Sequence, residues 1–433
     1  MKMCFTGDAI MLTNPSDDYW NNNYLVKIIK ECDVRGSNLE MVLSGDKAFA
    51  STFCGGQWLT TTSEKLDILG EFGFDYYNTA NNHTMDYSYS GLRMTNDALD
   101  QRGILHSGSG NSLANASKPV YLERNGKKIA FVSCTASCDD AARAGDPSLN
   151  IPPRPGVNML RHSERLIVTK DIMDIIDSTA ETLCVNARFL KSVKMGTHLL
   201  NSDIHRFGRL EFVLGDELKK MTYCHKGDLE RILLSIDSAK KEKADLIVVN
   251  IHSHDIKGMS DDTADYYHEE FARACIDNGA SVVIGTGTHQ LKGIEIYKGC
   301  PIFYSLGNFM FKEELMEYAP HDIFERYHVD DNLTPEELYN VRTKGGTVGL
   351  VFDPYNFRSV IPILEYGNDN SLIGVQLVPI ELGFDDDNKE KGFPYLAEED
   401  IQQEIFDRLN RLSTEYGTEM NIKNGVIEIM LLS

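Results

Sequence analysis

The amino-acid sequence predicts an α/β fold, because apolar β-rich runs alternate with amphipathic helical patterns along most of its 433 residues. Several predicted strands end in short loops that carry Asp, Glu, Asn and His, and loops at strand ends are where functional residues concentrate. Hydrophobic residues make up 42% of the chain, which is typical of a globular protein. The length suffices for one large domain or two ordinary ones.

The predicted strands are short runs rich in β-branched and aromatic residues. They cover Met3 to Thr6, Phe74 to Thr79, Ile129 to Cys134, Leu246 to Ile251, Ser281 to Ile284, Ile302 to Tyr304, Gly346 to Phe352, Gly374 to Ile380 and Val426 to Leu432. One helical pattern follows Gly91 and ends at Gly103, a second opens near Gly227, and a third runs from Ile401 to Leu412. Few helices separate the strands beyond about residue 345, which predicts mixed or antiparallel sheet there.

We expect residues 1–345 to form a core and residues 346–433 to complete the same domain. The stretch from about 180 to 226 is less periodic than its surroundings and is basic in places, at Arg188, Lys191 and Lys194. This pattern predicts an insertion or a lid with weak helical character.

The net charge of −22 argues against binding to nucleic acid or to anionic membranes, because the mean field of the protein repels polyanions. An anionic substrate, small molecule or polymer, therefore needs a local cation such as a metal ion. No apolar run reaches the roughly 18 residues of a membrane span, and the first residues enter a strand rather than a signal peptide. The sequence thus predicts a cytoplasmic protein, with nine scattered cysteines as reduced thiols.

Polar clusters follow the N-terminal predicted strands. Asp8 ends the first strand, where a carboxylate suits a divalent ion, although a Gly-Asp turn also serves as a helix cap. Glu40 lies in a segment that is equally compatible with an exposed turn. The loop after the next strand packs an amide, an imidazole and a carboxylate together, at Asn82, His83 and Asp86. We interpret this loop as functional, the alternative being a hydrogen-bonded turn.

Histidines follow two later strands. His252 and His254 stand at i and i+2, so on a regular strand their side chains share one face. A lone histidine is more often a core residue, but a same-face pair beside Asp255 favours metal binding. His289 follows the next strand in a glycine-rich turn and is expected at the same edge. These mixed oxygen and nitrogen donors predict one or two divalent ions such as Mn²⁺, Fe²⁺ or Zn²⁺.

Six ordered motifs resemble those of a known family. They are Gly7-Asp8, Asn38-Leu39-Glu40, Ala80-Asn81-Asn82-His83 with Asp86 and Gly91, Arg154-Pro155-Gly156-Val157-Asn158, Ile251-His252-Ser253-His254, and Tyr304-Ser305-Leu306-Gly307-Asn308-Phe309. The set resembles the CapA family of capsule and poly-γ-glutamate biosynthesis proteins, of the calcineurin-like metallophosphoesterase superfamily. The resemblance implies a four-layer α/β/β/α sandwich in which helices flank two packed sheets.

The resemblance also implies a dinuclear-type metal site. Asp8 would bind the first ion, Glu40 would take the bridging position, and Asn82 would be the amide ligand. His252 and His289 would complete the shell, and the remaining histidine of the same-face pair, His254, would be an additional ligand.

Further roles follow from the same resemblance. His83 stands where metallophosphoesterases place a catalytic histidine, and Asp86 is expected to orient it. Arg154, Ser305 and Asn308 are expected either to contact an anionic substrate or to support turns.

The chain departs from the family pattern at Thr286, where relatives usually carry the first of two histidines. Threonine is a poor metal ligand, so the number of ions stays open between one and two. Two functions are open as well. One is a CapA-like metal-dependent hydrolase, in which metal-activated water attacks a phosphate ester or an amide of a glutamyl polymer. The other is a non-catalytic biosynthesis factor, which binds a glutamyl polymer or a synthetase partner on a degenerate metallophosphoesterase scaffold.

Overall fold

The computed structural model describes residues 1–21, 23–384 and 389–431. Its strands are β1 (Lys2–Met11), β2 (Val34–Leu39), β3 (Tyr76–Asn78), β4 (Leu105–Ser107), β5 (Ser109–Gly110), β6 (Val120–Arg124), β7 (Lys127–Thr135), β8 (Gly156–Val157), β9 (His162–Val168), β10 (His205–Phe207), β11 (Leu210–Leu214), β12 (Lys219–Cys224), β13 (Leu246–Ser253), β14 (Val282–Gly287), β15 (Ile294–Tyr297), β16 (Cys300–Phe303), β17 (Asn308–Lys312), β18 (Arg358–Tyr366), β19 (Leu372–Glu381), β20 (Tyr395–Leu396), β21 (Met420–Lys423) and β22 (Val426–Ile429). Its α-helices are α1 (Asp17–Asn21), α2 (Tyr24–Lys30), α3 (Lys65–Gly70), α4 (Ser88–Gln101), α5 (Leu113–Ser117), α6 (Lys170–Thr182), α7 (Ala187–Lys194), α8 (Lys226–Lys241), α9 (Tyr266–Asp277), α10 (His321–Tyr327), α11 (Pro335–Arg342) and α12 (Glu399–Ser413).

Two large sheets carry the fold. Within the described residues, the larger sheet has the strand order β21-β22-β19-β18-β1-β2-β3-β4, with β17 also pairing with β1 and β20 with β19. The second sheet has the order β15-β16-β14-β13-β7-β6. Strands β1 to β4 run parallel to one another, as do β7, β13, β14 and β16. Each sheet therefore has an edge where the carboxyl ends of parallel strands meet, which is the usual place for a site.

The two sheets pack face to face. Phe5, Val34 and Tyr76 of the larger sheet belong to one buried cluster with Phe131 and Val248 of the second. The ring of Tyr76 stacks on that of Phe131 with 4.1 Å between centroids. Burying such large apolar side chains contributes about 25 cal/mol per Å² of surface removed from water, which makes this layer a main source of stability.

Helices cover the outer face of each sheet. Leu25 and Ile29 of α2 are buried in the cluster on the outer side of the larger sheet. Ile232 and Ile236 of α8 and Phe271 of α9 are buried against the second sheet. The predicted four-layer α/β/β/α sandwich is therefore confirmed.

A small unit is inserted between β8 and α8. Strands β9 to β12 form their own sheet in the order β10-β11-β9-β12, separate from the two large ones. Its small core consists of Val168 and Phe212 from the sheet and Met173 from α6. Thr222 ties the unit to the main body by donating a hydrogen bond of 2.6 Å to Asp265, the N-cap residue of α9. The unit begins at β9, earlier than the 180–226 stretch that the sequence indicates, and its function as a lid stays a prediction.

The C-terminal strands join the larger sheet in antiparallel fashion, as the sequence predicts. The strand predicted over 346–352 is wrong, because Gly346 and Gly349 adopt φ values of +84° and +121°, and residues 350–352 form a 3-10 helix. Glycines at positive φ turn the backbone instead of extending it. The last predicted strand ends at Ile429, while Leu432 lies outside the described residues. None of the helices in the described part of the chain has the length and apolar character that crossing a membrane requires.

Candidate metal centre

The polar loops gather where the carboxyl edges of the two sheets meet. Asp8 lies in β1 opposite Asn38 of β2, and Glu40 follows β2 directly. In the second sheet, His252 of β13 lies opposite Thr286 of β14. Packing of the sheets brings both edges together, so that Nδ1 of His252 lies 3.6 Å from Oδ1 of Asp8.

Atoms with free lone pairs converge around Nε2 of His252. Oδ1 of Asn82 lies 2.8 Å away, Nε2 of His254 3.1 Å and Oε1 of Glu40 3.4 Å. Nδ2 of Asn82 donates to the carbonyl of Gly55 at 2.7 Å, which directs the amide oxygen toward the cluster. Donor atoms of Glu40, His252 and His254 all lie within 4.8 Å of one another, close enough to share one ion.

A second group overlaps the first through Glu40. Its other members are Asp8 and His289, and the donor atoms of these three residues also lie within 4.8 Å of one another. The carboxylate of Asp8 is held by Nδ2 of Asn38 at 2.7 Å and by the backbone N–H of Gly287 at 3.0 Å. Two groups that share one carboxylate can hold one or two metal ions.

The carboxylate of Glu40 shows best that the residues fit a cation. Glu40 is fully buried, and neither of its oxygens has a hydrogen-bond partner among the described residues. Burial, followed by the neighbouring Asp8, raises the pKa of Glu40 well above its usual range. Burying an unpaired charge is costly, and a divalent ion bound beside Glu40 would remove that cost.

The other ionisable groups are held in the forms that bind metal. Burial lowers the pKa of His252 despite the opposing effect of Asp8. Burial and the adjacent His252 and His289 lower the pKa of His254 well below its usual range. Burial alone would raise the pKa of Asp8, but its contacts with His252 and His289 outweigh burial and lower that pKa. The lowered pKa values of His252 and His254 favour neutral imidazoles and that of Asp8 favours a carboxylate, which are the forms that bind metal.

His83 is oriented at the edge of this centre by Asp86. The carboxylate of Asp86 accepts hydrogen bonds from the backbone N–H groups of Gly55 and Leu59, both at 2.9 Å. Because both of these contacts use the carboxylate as an acceptor, we assign its contact with His83 in the same direction. Nδ1 of His83, 2.7 Å from the carboxylate, then carries the proton. Nε2 of His83 then faces the centre, 3.9 Å from Oε1 of Glu40.

A cavity of about 320 Å³ lies over the centre. The imidazoles of His83, His254 and His289 line this cavity, and residues between 313 and 351 supply much of the remaining lining. Its volume falls at the small end of ligand-binding pockets. The arrangement gives a small ligand access to the grouped imidazoles.

The family of this chain follows from a comparison of its sequence with known families. The model of the bacterial capsule synthesis protein PGA_cap matches residues 2–313, which is well over half of the 433-residue chain. The chain belongs to the PGA_cap family. Every residue of the candidate centre lies within the matched range.

Several relatives extend the comparison. The "uncharacterized protein y4sH" of Sinorhizobium fredii (strain NBRC 101917 / NGR234) is 31% identical over 412 residues, which cover 93% of this chain and 87% of that protein. The capsule biosynthesis protein CapA of Bacillus anthracis is 25% identical over 341 residues, covering 77% of this chain and 65% of that protein. The PGA biosynthesis protein CapA of Bacillus subtilis (strain 168) is 25% identical over 279 residues, covering 64% and 52% respectively.

Solved structures were compared as well. A hypothetical protein from Thermus thermophilus superimposes with a TM-score of 0.40 and 14% identity, over 88% of this chain and 99% of that one. The NAD nucleotidase NadN of Haemophilus influenzae superimposes with a TM-score of 0.35 and 10% identity, over 95% of this chain and 62% of that one.

The structure brings the expected PGA_cap ligands into contact range, but it does not bring every expected substrate residue to the cavity. Arg154 is exposed, and its Nε donates to the carbonyl of Arg143 at 2.9 Å. Ser305 is buried, and its Oγ accepts the N–H of Gly307 at 3.2 Å. Neither residue lines the cavity over the centre. Their observed contacts correspond to the turn-supporting alternative.

Two contacts at the centre were not assigned from the sequence. Oγ1 of Thr286 lies 3.0 Å from Nδ1 of His252, so the residue that replaces an expected histidine contacts that imidazole. Nδ2 of Asn38 lies 3.2 Å from the same nitrogen. The motif Asn38-Leu39-Glu40 marked this region, but only the parallel pairing of β1 and β2 shows that Asn38 supports Asp8 and His252.

Asn308 contacts His289 and is not among the residues that line the cavity. Its Nδ2 donates to the carbonyl of Asn356 at 2.8 Å, which leaves Oδ1 to accept the contact of 2.8 Å with Nδ1 of His289. His289 has a φ of +61°, an uncommon conformation for a residue with a Cβ, and such strain is concentrated at functional sites.

Replacing Asn308 by alanine is expected to lower metal affinity about 10- to 100-fold, because partners that fix a ligating imidazole have effects of this size. The measurement is a metal titration followed by calorimetry. Ser305→Ala is the control, since Oγ of Ser305 contacts the backbone of Gly307 and no residue of the centre. A higher KM with unchanged metal affinity would instead assign Asn308 to substrate binding.

Proposed function

We propose that this PGA_cap protein is a metal-dependent hydrolase that cleaves phosphate esters. The observation that carries the proposal is the buried, unpartnered carboxylate of Glu40 among converging ligand atoms, next to a histidine whose orientation is fixed. A divalent ion, when bound, supplies an activated water and polarises the phosphoryl oxygen.

The protein's own residues supply the remaining steps. The ion would be held by the two overlapping groups, which comprise Asp8, Glu40, His252, His254 and His289, together with the amide oxygen of Asn82, which lies beside His252. His83 carries a proton at Nε2 to the leaving oxygen, while its Nδ1 stays hydrogen-bonded to Asp86. The contact with Asp86 fixes the ring of His83, so that Nε2 stays directed toward the centre. The cavity admits an ester whose phosphate reaches the imidazoles that line it.

The test combines metal analysis with turnover of an aryl phosphate. Wild-type protein is expected to carry stoichiometric transition metal as isolated and to show a rate that rises with pH near neutrality. His252→Ala is expected to lose both metal and turnover, because His252 lies at the middle of the converging atoms. His321→Ala is the matched control, since the His321 side chain is 74% exposed and lies outside the centre. Wild-type protein without metal, together with an unaffected His252→Ala variant, would exclude the hydrolase.

The contact of Thr286 with His252 favours a second candidate, a non-catalytic biosynthesis factor. Oγ1 of Thr286 lies 3.0 Å from Nδ1 of His252. A histidine at position 286 would instead supply a further metal ligand. Because the Bacillus subtilis relative is described as a PGA biosynthesis protein, the polymer in question is poly-γ-glutamate. The non-catalytic factor would be supported if the protein binds this polymer but contains no metal. In that case it should hydrolyse neither an aryl phosphate nor the amides of the polymer.

A further inference from the structure

One part of the cavity wall comes from a part of the chain that the family motifs do not mark. The family match ends at residue 313, and this wall consists of lining residues between 313 and 351, which include residues of α10 and α11. The imidazoles of His83, His254 and His289 line the same cavity. A side chain of the wall is therefore positioned to contact a ligand that occupies the cavity.

Arg342 is the last residue of α11, and that helix is firmly anchored. Thr334 and Glu337 form a capping box at its first turn, with hydrogen bonds of 2.8 and 3.2 Å. Leu338, in the middle of the helix, is 1% exposed. A side chain on an anchored helix is held more rigidly than one on a loop, which suits a binding residue.

The guanidinium of Arg342 has few partners for its five N–H groups. Its side chain is only 8% exposed, and the buried Nε has no hydrogen-bond partner among the described residues. Nη1 makes a long contact of 3.4 Å with the carbonyl of Glu313, and Nη2 lies 3.8 Å from the carboxylate of the same residue. A buried donor without a partner is costly, so the guanidinium has unused capacity for a ligand.

The charge of Arg342 selects the ligand. Among the described residues that line the cavity, Arg342 is the one permanent cation, in a protein whose net charge is −22. The planar fork of an arginine matches two oxygens of a phosphate or a carboxylate. An anionic ligand bound at the candidate metal centre would thus meet a cationic side chain among the residues that line the cavity.

We infer that Arg342 is a substrate-binding residue that holds an oxyanion of the substrate, a phosphate or a carboxylate, in the cavity that the imidazoles of the candidate metal centre also line. The inference rests on the proposed function for the identity of the site, and adds to it a preference for anionic over neutral esters.

The test measures binding of inorganic phosphate to the full-length protein by calorimetry, with glutarate as the carboxylate probe. R342Q is expected to weaken binding of the preferred probe about 10- to 100-fold, the range for hydrogen bonds to charged groups, with metal content unchanged. R342K keeps the charge but not the fork and is expected to fall between R342Q and wild type. Lys344→Gln is the matched control, because it removes one positive charge from an exposed position two residues away.

The outcomes separate this inference from the hydrolase proposal. Wild-type protein that binds phosphate or glutarate through Arg342, but does not turn over an aryl phosphate, supports the inference and contradicts the hydrolase. Active wild-type protein whose R342Q and R342K variants bind both probes as tightly as wild type overturns the inference alone. Failure of wild-type protein to bind either probe also overturns it. The stronger of the two probes identifies the oxyanion as phosphate or carboxylate.

Discussion

Replacing His83 by alanine is expected to lower kcat for an aryl phosphate about 10²- to 10⁴-fold, the usual contribution of a positioned general acid, and to leave the metal content unchanged. His83 lies beside the candidate centre, and its Nδ1 contacts Asp86 at 2.7 Å, while its Nε2 is 3.9 Å from Glu40. The proposed ligands all remain in this variant. Stopped assays of turnover, paired with elemental analysis of the same samples, check the prediction.

His289→Ala is the matched comparison, because His289 belongs to one of the groups that can hold an ion. It is expected to lower metal occupancy, and turnover is expected to fall in proportion. Asp86→Asn separates positioning from catalysis: kcat should fall while the metal content stays unchanged, because the amide holds the ring of His83 less firmly than the carboxylate does. Loss of metal in His83→Ala, with full metal and lost turnover in His289→Ala, would reverse the two assignments.

The fold was predictable because its signals are local. Hydrophobic runs such as Leu246 to Ile251 define buried strands, and α8 shows its buried face through Ile232 and Ile236. The centre was partly predictable for the same reason, since polar residues that directly follow parallel strands must meet at one edge. Asp8 and Asn38 lie side by side in one sheet as that geometry requires, whereas the contact between Asp8 and His252 depends on packing of the two sheets.

The remaining features depend on contacts between distant parts of the chain. Arg342 belongs to no motif, and only packing of α11 places it on the cavity wall. The sequence suggested a strand over 346–352, whereas Gly346 and Gly349 turn this segment at positive φ. The motif makes Asn308 a candidate for substrate binding, but its hydrogen bonds to His289 and Asn356 are visible only in three dimensions.

Replacing Glu40 by glutamine is expected to have opposite effects on the metal-free and metal-loaded protein. Glu40 is buried without a hydrogen-bond partner among the described residues, and burial raises its pKa. A folded-state pKa above the unfolded value of about 4.3 means that the folded protein binds this proton more tightly. The stability that the protonated Glu40 contributes is therefore fully present at pH values below its pKa in the unfolded protein. It is lost as the pH rises through its pKa in the folded protein.

At neutral pH, Glu40→Gln should increase the free energy of unfolding of the metal-free protein by roughly 1–3 kcal/mol, because the amide is neutral and avoids the cost of a buried, unpaired negative charge. The same change should weaken metal binding by more than the roughly 10- to 100-fold seen when a supporting partner of a ligand is removed. Thermal denaturation with a chelator and with added Mn²⁺ or Zn²⁺ measures both effects. Wild-type protein should gain stability with metal concentration, as ligand binding to the folded state requires, and the variant should gain little.

Glu336→Gln controls for the loss of one negative charge, because Glu336 is exposed on α11 and is not among the residues that line the cavity. It should leave both measurements unchanged. If Glu40→Gln lowered the stability of metal-free protein and left the response to metal intact, Glu40 would be a structural carboxylate and not a metal ligand. If Glu40→Gln raises the stability of metal-free protein and also removes its response to metal, the carboxylate of Glu40 destabilises the fold and its role is to bind a cation.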